Sequence, residues 1–112
     1  MRRGRTIDLT TEGLHEVNLD GARLAYHVGL DHVDLHSVRV SRVRRGGGLA
    51  KSALTKFLAE ADRLGVVVRL AASPLDDRTN LHRLISFYER LGFVQTGERA
   101  NPLGHPMMER RP

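Results

Sequence analysis

The stretch Arg45-Gly46-Gly47-Gly48-Leu49-Ala50 lies between a strand-like run and a long amphipathic helix. Its three consecutive glycines leave backbone N–H groups free of side-chain cover at the point where the helix begins. The start of a helix presents unpaired N–H donors and the positive end of the helix dipole, so it favours a phosphate group. Arg42, Arg44 and Arg45 add positive charge to the same turn. The stretch therefore predicts a strand–loop–helix unit that binds a phosphate-bearing ligand.

The loop fits neither of two common phosphate-binding motifs. A Walker loop needs Gly-Lys-Ser/Thr with a second glycine five positions earlier, but here Ala50 precedes Lys51, and Arg45 stands five positions before Ala50. The dinucleotide fingerprint needs a third small residue where Lys51 stands. It also needs an acidic residue after the following strand, and the sequence has none there. Both motifs are weak interpretations of this loop.

The loop resembles the acyl-CoA loop of the GNAT family, the Gcn5-related N-acetyltransferases. That family has Gln/Arg-x-x-Gly-x-Gly/Ala between a strand and a helix, and Arg45, Gly48 and Ala50 occupy the defining positions. A second hallmark of the family, Phe-Tyr-Glu-Arg-Leu-Gly-Phe at the end of a helix, stands at residues 87–93. The resemblance implies an α/β fold: a mixed, mostly antiparallel sheet with a βαβ acyl-CoA-binding unit and two main helices.

The resemblance also implies an activity, the direct transfer of an acetyl group from acetyl-CoA, as cosubstrate, to an amine. Tyr88 matches the family's tyrosine that protonates the departing thiolate, which a phenol suits because its pKa lies near that of a thiol. An ordinary core aromatic is the alternative interpretation of Tyr88. The residues implied in coenzyme binding are Val38, Val40, Arg45, Gly46, Gly47, Gly48, Leu49, Ala50 and Lys51.

His36 is a second candidate catalytic residue. It falls where several GNAT enzymes carry a glutamate that accepts the proton of the acceptor amine, and an imidazole can do this near neutral pH. His32, Asp34 and His36 also have a spacing that could imitate a metal site. Polar residues in such an alternating pattern are more often simply exposed, so no metal is expected.

The length and composition of the sequence limit the number of domains, the cysteine chemistry and the location expected for the protein. A chain of 112 residues is expected to form one small domain spanning residues 1–112. The absence of cysteine excludes disulfides, thiolate metal sites and a cysteine acyl-enzyme. No apolar run is long enough to span a membrane and no secretory signal is visible, so a cytoplasmic location is expected.

The net charge of +5 raises the alternative of nucleic-acid binding. However, the arginines are spread over the two ends and the glycine loop, and aromatic residues are too few to form a stacking platform. Acetyl-CoA itself carries phosphate groups that account for the loop arginines. The terminal residues Arg110 and Arg111 are interpreted as part of a solvated tail. Nucleic acid is therefore an unlikely partner.

The N-terminal half of the chain is predicted to form strands. Apolar and polar residues alternate in Arg5–Thr10, which predicts a short strand. Leu14–Leu19 and Ala22–Val28 flank Asp20-Gly21, a typical type I′ hairpin turn.

In the next strand, residues 33–41, the apolar side chains change from odd to even positions between Leu35 and Val38. Insertion of a residue, a β-bulge near His36-Ser37, would keep one apolar face buried. A strand buried on both faces is the alternative. GNAT members carry a bulge in the corresponding strand, where it splays the sheet and frees an amide for the acyl carbonyl.

The C-terminal half alternates helices and strands. Gly48–Leu64 has helical spacing of apolar residues, with Gly65 as the terminating residue. Val66–Ala72 reads as a buried parallel strand, which completes a βαβ unit. A second helix ends at Gly92, with Asn80 near its start interpreted as a cap. Its apolar stripe comprises Leu81, Leu84, Ile85, Tyr88 and Leu91.

Two final strands are predicted at Phe93–Glu98 and Pro106–Arg110. GNAT members normally place a strand and two helices before the hairpin, and those helices roof the acceptor site. Only Met1–Gly13 precedes the hairpin here, so we expect a reduced acceptor side and a homodimer that covers the exposed sheet. The acceptor amine is not identified. A catalytically silent coenzyme-binding module, or less plausibly a basic nucleic-acid-associated protein, is the alternative function.

Overall fold

The computed structural model describes residues 2–4, 6–40, 48–73, 80–100 and 104–112. These residues form one sheet of seven strands, in the order β1-β2-β3-β4-β5-β7-β6, and two helices. The pairs β1–β2 and β4–β5 are parallel and the other pairs are antiparallel, so the predicted mixed, mostly antiparallel fold class is confirmed. The elements are β1 Arg2–Gly4, β2 Gly13–Leu19, β3 Ala22–Val28, β4 His32–Val40, α1 Leu49–Leu64, β5 Val67–Ala71, α2 Leu81–Arg90, β6 Val94–Ala100 and β7 His105–Arg110.

The predicted hairpin is confirmed. Leu19 pairs with Ala22 across a two-residue turn, and both turn residues have positive φ, 53° at Asp20 and 92° at Gly21. Positive φ at both central positions defines the type I′ turn, whose twist matches that of the flanking strands. This turn sets the register that puts Ala22, Leu24, Tyr26 and Val28 on one buried face.

The strand predicted at Arg5–Thr10 is wrong. The short strand lies earlier, at Arg2–Gly4, where it runs parallel to β2. Asp8 instead closes a turn, because its carboxylate accepts hydrogen bonds from the backbone N–H groups of Thr10 at 2.9 Å and Thr11 at 3.1 Å. A local side-chain-to-backbone turn of this kind competes with an extended ladder. Leu9 still reaches the core, at 4% exposure.

The β-bulge predicted in β4 is confirmed. Ala25 pairs with Ser37 and Tyr26 pairs with Leu35, so His36 is the extra residue on β4. The extra residue keeps the apolar side chains of β4 on one face, because Val38 comes to lie opposite Leu24 on the buried face. The alternative of a strand buried on both faces fails, since His36 and Arg39 are exposed.

The helix α1 connects two parallel strands that then diverge. Gly65 closes the helix in a left-handed conformation, with its N–H donating to Asp62 and the N–H of Val66 donating to Ala61. β5 pairs with β4 only at His32, Val33 and Asp34. The β4–β5 pairing therefore ends before the bulge, and the sheet opens there.

The core lies between α1 and one face of the sheet. Phe57 of α1 packs edge-on against Tyr26 of β3, with ring centroids 5.0 Å apart, and both residues are fully buried. The Tyr26 ring also stacks on His15 of β2 at 5.2 Å. Its hydroxyl donates to the carbonyl of Asp8 at 2.9 Å and accepts from the N–H of Asp8 at 3.1 Å. Tyr26 therefore fastens the N-terminal segment to the core.

Arg110 was interpreted from the sequence as a solvated tail, and this is wrong. Its side chain is only 17% exposed and forms a two-point ion pair with Asp62 of α1, at 2.6 and 2.9 Å. Its Nε donates to the carbonyl of Leu91, just after α2, at 2.7 Å. Arg110 thus ties the ends of both helices to one face of the sheet. Neither helix, within the described ranges, has the length and apolar character needed to cross a membrane.

Candidate active site

A cleft opens where β4 and β5 diverge. It has a volume of about 330 Å³, which is within the range of small-molecule sites. β4 supplies one wall and β5 the other, while α1 and α2 supply the floor. The lining residues are Leu35, His36, Ser37, Val38, Arg39, Ala50, Leu54, Leu70, Ala71, Ser73, Leu84, Phe87 and Tyr88. The structure therefore brings Val38, Ala50, His36 and Tyr88, from three elements, to one cavity.

The start of α1 borders the cleft at Ala50. Gly48 adopts a left-handed conformation, with φ 76°, and no side chain of the described residues caps the helix. The first turn has no acidic residue and carries Lys51. A helix start with a lysine in its first turn and the positive end of the helix dipole is chemically suited to an anion. Leu49 and Ala50 belong to the same turn, while the candidate residues Arg45, Gly46 and Gly47 lie outside the described residues.

Tyr88 lies on the cleft-facing side of α2. Its ring packs edge-on against Phe87 at 5.5 Å and Phe93 at 5.6 Å. Burial raises the pKa of the Tyr88 hydroxyl above its ordinary value of 10.0. The hydroxyl therefore stays protonated at neutral pH and can donate a proton inside the cleft. Tyr88 therefore packs against the hydrophobic core and also lines the cleft.

His36 stands at the cleft edge because the bulge turns it outward. It lines the cleft and is exposed to solvent. Among the described residues, no hydrogen-bond partner orients its ring. Val38, two residues along β4, lines the cleft as well, whereas Val40 pairs with Ala22 and is not a lining residue.

The remaining polar residues of β4 form a separate cluster. His32 contacts Asp31 at 2.7 Å through Nδ1 and Asp34 at 3.2 Å through Nε2. His36 is not part of this cluster. The part of the chain that the structure describes contains no group of three or more histidine, aspartate or glutamate side chains placed to hold a metal ion.

Asn80 is confirmed as a helix cap. Its side chain accepts a hydrogen bond from the N–H of His82 at 2.8 Å, at the start of α2. An N-cap of this kind satisfies an otherwise unpaired donor of the first turn.

Sequence reasoning missed one pair of residues at the cleft. Ser73 lines the cavity, and its hydroxyl lies 3.1 Å from Nδ1 of His105. The two residues are distant in sequence and meet only because β7 pairs with β5. No local motif could have indicated this contact, since it depends on the strand order.

The comparisons with known proteins agree with this architecture. The model of the acetyltransferase (GNAT) family matches residues 15–93. No curated protein gives a significant sequence match. Among solved structures, the anti-CRISPR protein AcrVA5 is similar with a TM-score of 0.68 and 24% identity, over 87% of this chain and 97% of that chain.

Two solved acetyltransferases have the same fold. The ribosomal-protein-S18-alanine N-acetyltransferase from Escherichia coli has a TM-score of 0.63 and 22% identity, over 81% of this chain and 61% of that enzyme. The PaiA N-acetyltransferase from Thermoplasma acidophilum, solved in complex with coenzyme A, has a TM-score of 0.61 and 15% identity, over 81% of this chain and 53% of that enzyme. This chain therefore spans less than two thirds of the length of either enzyme. On the family match and the shared fold, the chain belongs to the GNAT family of acetyltransferases.

Proposed function

We propose that the protein is an N-acetyltransferase that transfers an acetyl group directly from acetyl-CoA to an amine. The observation that carries this proposal is the cleft between β4 and β5, which has the uncapped start of α1 beside it and Tyr88 along its wall. A coenzyme with a phosphate-bearing end and a reactive thioester end needs both features, an anion site and a proton donor.

The described residues fit the donor substrate. We propose that the N–H groups at Gly48–Lys51 bind its pyrophosphate, together with the loop residues Arg45–Gly47. Beyond Asp34, β4 is no longer paired with β5, which supports our proposal that the backbone of Val38 binds the pantetheine arm and polarises the thioester carbonyl. Val40, further along the same strand, is proposed to contact the same arm.

The position of each group supports the chemical role that we propose for it. Tyr88, which burial keeps protonated, would donate a proton to the departing CoA thiolate. His36, exposed at the cleft edge, would accept a proton of the incoming amine from the β4 wall. We propose a cytoplasmic protein of one domain, with an amine as its acceptor.

The coenzyme site is tested with Gly48→Glu. Acetyl-CoA should raise the melting temperature of the wild type, since a ligand that binds the folded state stabilises it. The substitution should abolish that rise by placing a negative charge at the anion site. Gly48→Asn is the matched control, because asparagine tolerates the left-handed conformation and adds no charge. An equal rise in wild type and Gly48→Glu would contradict the assignment of the loop.

Catalysis is tested separately by CoA release. The chain contains no cysteine, so a thiol reagent reports only the CoA that the reaction liberates. Release that depends on an added amine supports an acetyltransferase. Coenzyme binding without release, over a panel of amino acids, polyamines and peptides, would instead support a silent coenzyme-binding module. Salt-dependent binding of nucleic acid in the absence of coenzyme would support the third alternative.

A further inference from the structure

The end of β5 and the start of β7 bring a serine hydroxyl and an imidazole together beside the cleft. The N–H of Ala72 donates to the carbonyl of Pro106 at 2.9 Å, which continues the antiparallel β5–β7 pairing. This register places Ser73 opposite His105, and Ser73 Oγ lies 3.1 Å from His105 Nδ1. Ser73 lines the cleft, and His105 stands behind it.

Both side chains belong to the face of the sheet that the helices do not cover. Ala72 is fully buried in the core, whereas Ser73 is exposed. Successive side chains of an extended segment point to opposite faces, so Ser73 points away from the helices. His36 is exposed on the other wall of the cleft. An acceptor entering from this face therefore meets the imidazole of His36 on one wall and the hydroxyl of Ser73, in contact with His105, on the other. Tyr88 lies on the helix side of the cleft.

We propose that Ser73 and His105 form a relay that takes a proton from the acceptor amine, in addition to His36. The inference rests on the proposed acetyl transfer. An alkylammonium acceptor first loses one proton to the relay, which passes to Ser73 Oγ as the hydroxyl proton passes to His105 Nδ1. The neutral nitrogen then bonds to the acetyl carbon and the carbon–sulfur bond of acetyl-CoA breaks. The nitrogen gives its second proton to His36, and the thiolate takes a proton from Tyr88. Both imidazolium rings then release their protons to solvent, and the tyrosinate regains one from solvent.

The relay supplies what His36 lacks, an oriented proton acceptor. A base is effective when a neighbouring group fixes its ring and its accepting nitrogen. The Ser73 hydroxyl can donate to Nδ1 of His105, which assigns the ring proton to Nε2. Among the described residues, His36 has no such partner. Separate positions for the base and the acid also suit a reaction that removes one proton and delivers another.

Two arginines on the neighbouring strands have partners of their own among the described residues. Arg69 of β5 pairs with Glu98 of β6 at 3.0 Å. Arg99 of β6 donates to the carbonyl of Gly104 at 3.3 Å. On the opposite wall, β4 carries His36 and Arg39. Within the described residues, the Ser73 hydroxyl lines the cleft and contacts one ionisable side chain, that of His105.

The experiment compares two acceptors that differ in whether they are protonated at neutral pH. A lysine-containing peptide presents an alkylammonium at neutral pH, because the ordinary pKa of lysine is about 10.4. Hydroxylamine is largely neutral there and needs no base to become a nucleophile. CoA release is measured with each acceptor, after subtraction of the enzyme-free reaction. Ser73→Ala should slow the peptide reaction about 100-fold, because general-base catalysis contributes at least about 100-fold to a rate. The hydroxylamine reaction should slow less than about threefold, because hydroxylamine does not need the relay to become neutral.

Four further variants make the test specific. His105→Gln should reproduce the selective loss, and the double variant should be no slower than either single one, because residues that act as a unit are not additive. Ser73→Thr keeps the hydroxyl and should retain the peptide reaction. Ser86→Ala removes an exposed hydroxyl of α2 outside the cleft and should change neither reaction. Thermal melting with acetyl-CoA verifies that each variant is folded and binds the donor.

Three results would contradict the relay, and each has a different meaning. An equal loss with both acceptors, or a lost thermal shift with acetyl-CoA, would make the Ser73–His105 contact a structural hydrogen bond. A selective loss in His36→Ala but not in Ser73→Ala would assign the proton to His36 alone. If the wild type releases no CoA with either acceptor, the proposed acetyl transfer fails, and the relay fails with it.

Discussion

At Tyr88, the packing that makes the side chain part of the core also keeps its hydroxyl protonated. The ring is held between Phe87 and Phe93, and burial raises the pKa of the phenol above 10.0. Because the folded protein favours the neutral form, proton donation by Tyr88 should persist from neutral pH up to at least about pH 10. A loss of activity that begins below that pH therefore has to come from another group.

Tyr88→Phe should lower turnover of acetyl-CoA by about 100-fold, because it removes only the proton of the leaving group. The affinity for acetyl-CoA should be unchanged, as measured by calorimetry. The free energy of unfolding should also change little, since the hydroxyl has no hydrogen-bond partner among the described residues. A loss of affinity or stability with unchanged turnover per bound coenzyme would show that Tyr88 acts only in packing.

The other tyrosine of the chain should give the opposite result. Tyr26→Phe removes the hydroxyl that both donates to and accepts from the backbone of Asp8. Loss of these two bonds should reduce the free energy of unfolding by about 1–2 kcal/mol, because a partly buried backbone group is left without its partner. Turnover below the unfolding transition should be preserved, since Tyr26 does not line the cleft. Urea unfolding of the two Tyr→Phe variants, side by side, checks both expectations.

At the scale of elements, the ends of α1 and α2 are held together by one side chain. Arg110 of β7 pairs with Asp62 of α1 and donates to the carbonyl of Leu91. Gly92 leaves room for this arginine, because a Cβ there would lie 3.1 Å from Arg110 Nε. The helix that carries Tyr88 is thus positioned in part by the last strand of the sheet.

Arg110→Met should reduce the free energy of unfolding by about 1–2 kcal/mol, since charge-assisted bonds are lost but Asp62 is partly exposed. The hydrogen bond from Arg110 lowers the pKa of Asp62 below its ordinary value of 3.8. The unfolded chain therefore binds more protons in acid, so this stabilisation is present above pH 3.8 and is lost as the pH falls further.

Urea unfolding at a series of pH values checks this expectation. The decline in stability of Arg110→Met between about pH 5 and pH 2 should be shallower than that of the wild type. It should not vanish, because hydrogen bonds from Thr10 and Thr11 also lower the pKa of Asp8. Parallel declines in the two proteins would contradict the coupling between Asp62 and Arg110.

At the scale of the whole molecule, the described sheet has two edge strands and one face that neither α1 nor α2 covers. β1 and β6 are the end strands of the described sheet. Leu14 of β2 is 47% exposed and Val94 of β6 is 67% exposed. Unpaired edges and exposed apolar side chains are features that a second copy of the chain can cover.

A twofold homodimer therefore remains our prediction for the protein in solution. Sedimentation velocity at micromolar concentration should give the mass of two chains. Val94→Lys and Leu14→Lys, which place a charge on the edge and on the open face respectively, identify the surface involved if one of them alone yields the monomer. A monomer mass for the wild type would contradict the dimer, and the open cleft would then suit a bulky acceptor.

Much of the local structure follows from the sequence by itself. The Asp20-Gly21 turn, the bulge at His36 and the ends of both helices at Gly65 and Gly92 each depend on a few neighbouring residues. Their signals are intrinsic backbone preferences and a single buried face, which act over short distances. The start of α1 at Leu49, after a left-handed Gly48, follows from the glycines before it for the same reason.

Only the tertiary structure decided which distant residues meet. The strand order β5-β7-β6 inserts the last strand into the sheet. It carries Arg110 to the helix ends and His105 to Ser73. The same limit explains the misplaced N-terminal strand, because residues near Asp8 are held by the hydroxyl of Tyr26, far along the chain. Sequence periodicity reports which face of an element is buried, but the partner across that face is set by the packing of the whole chain.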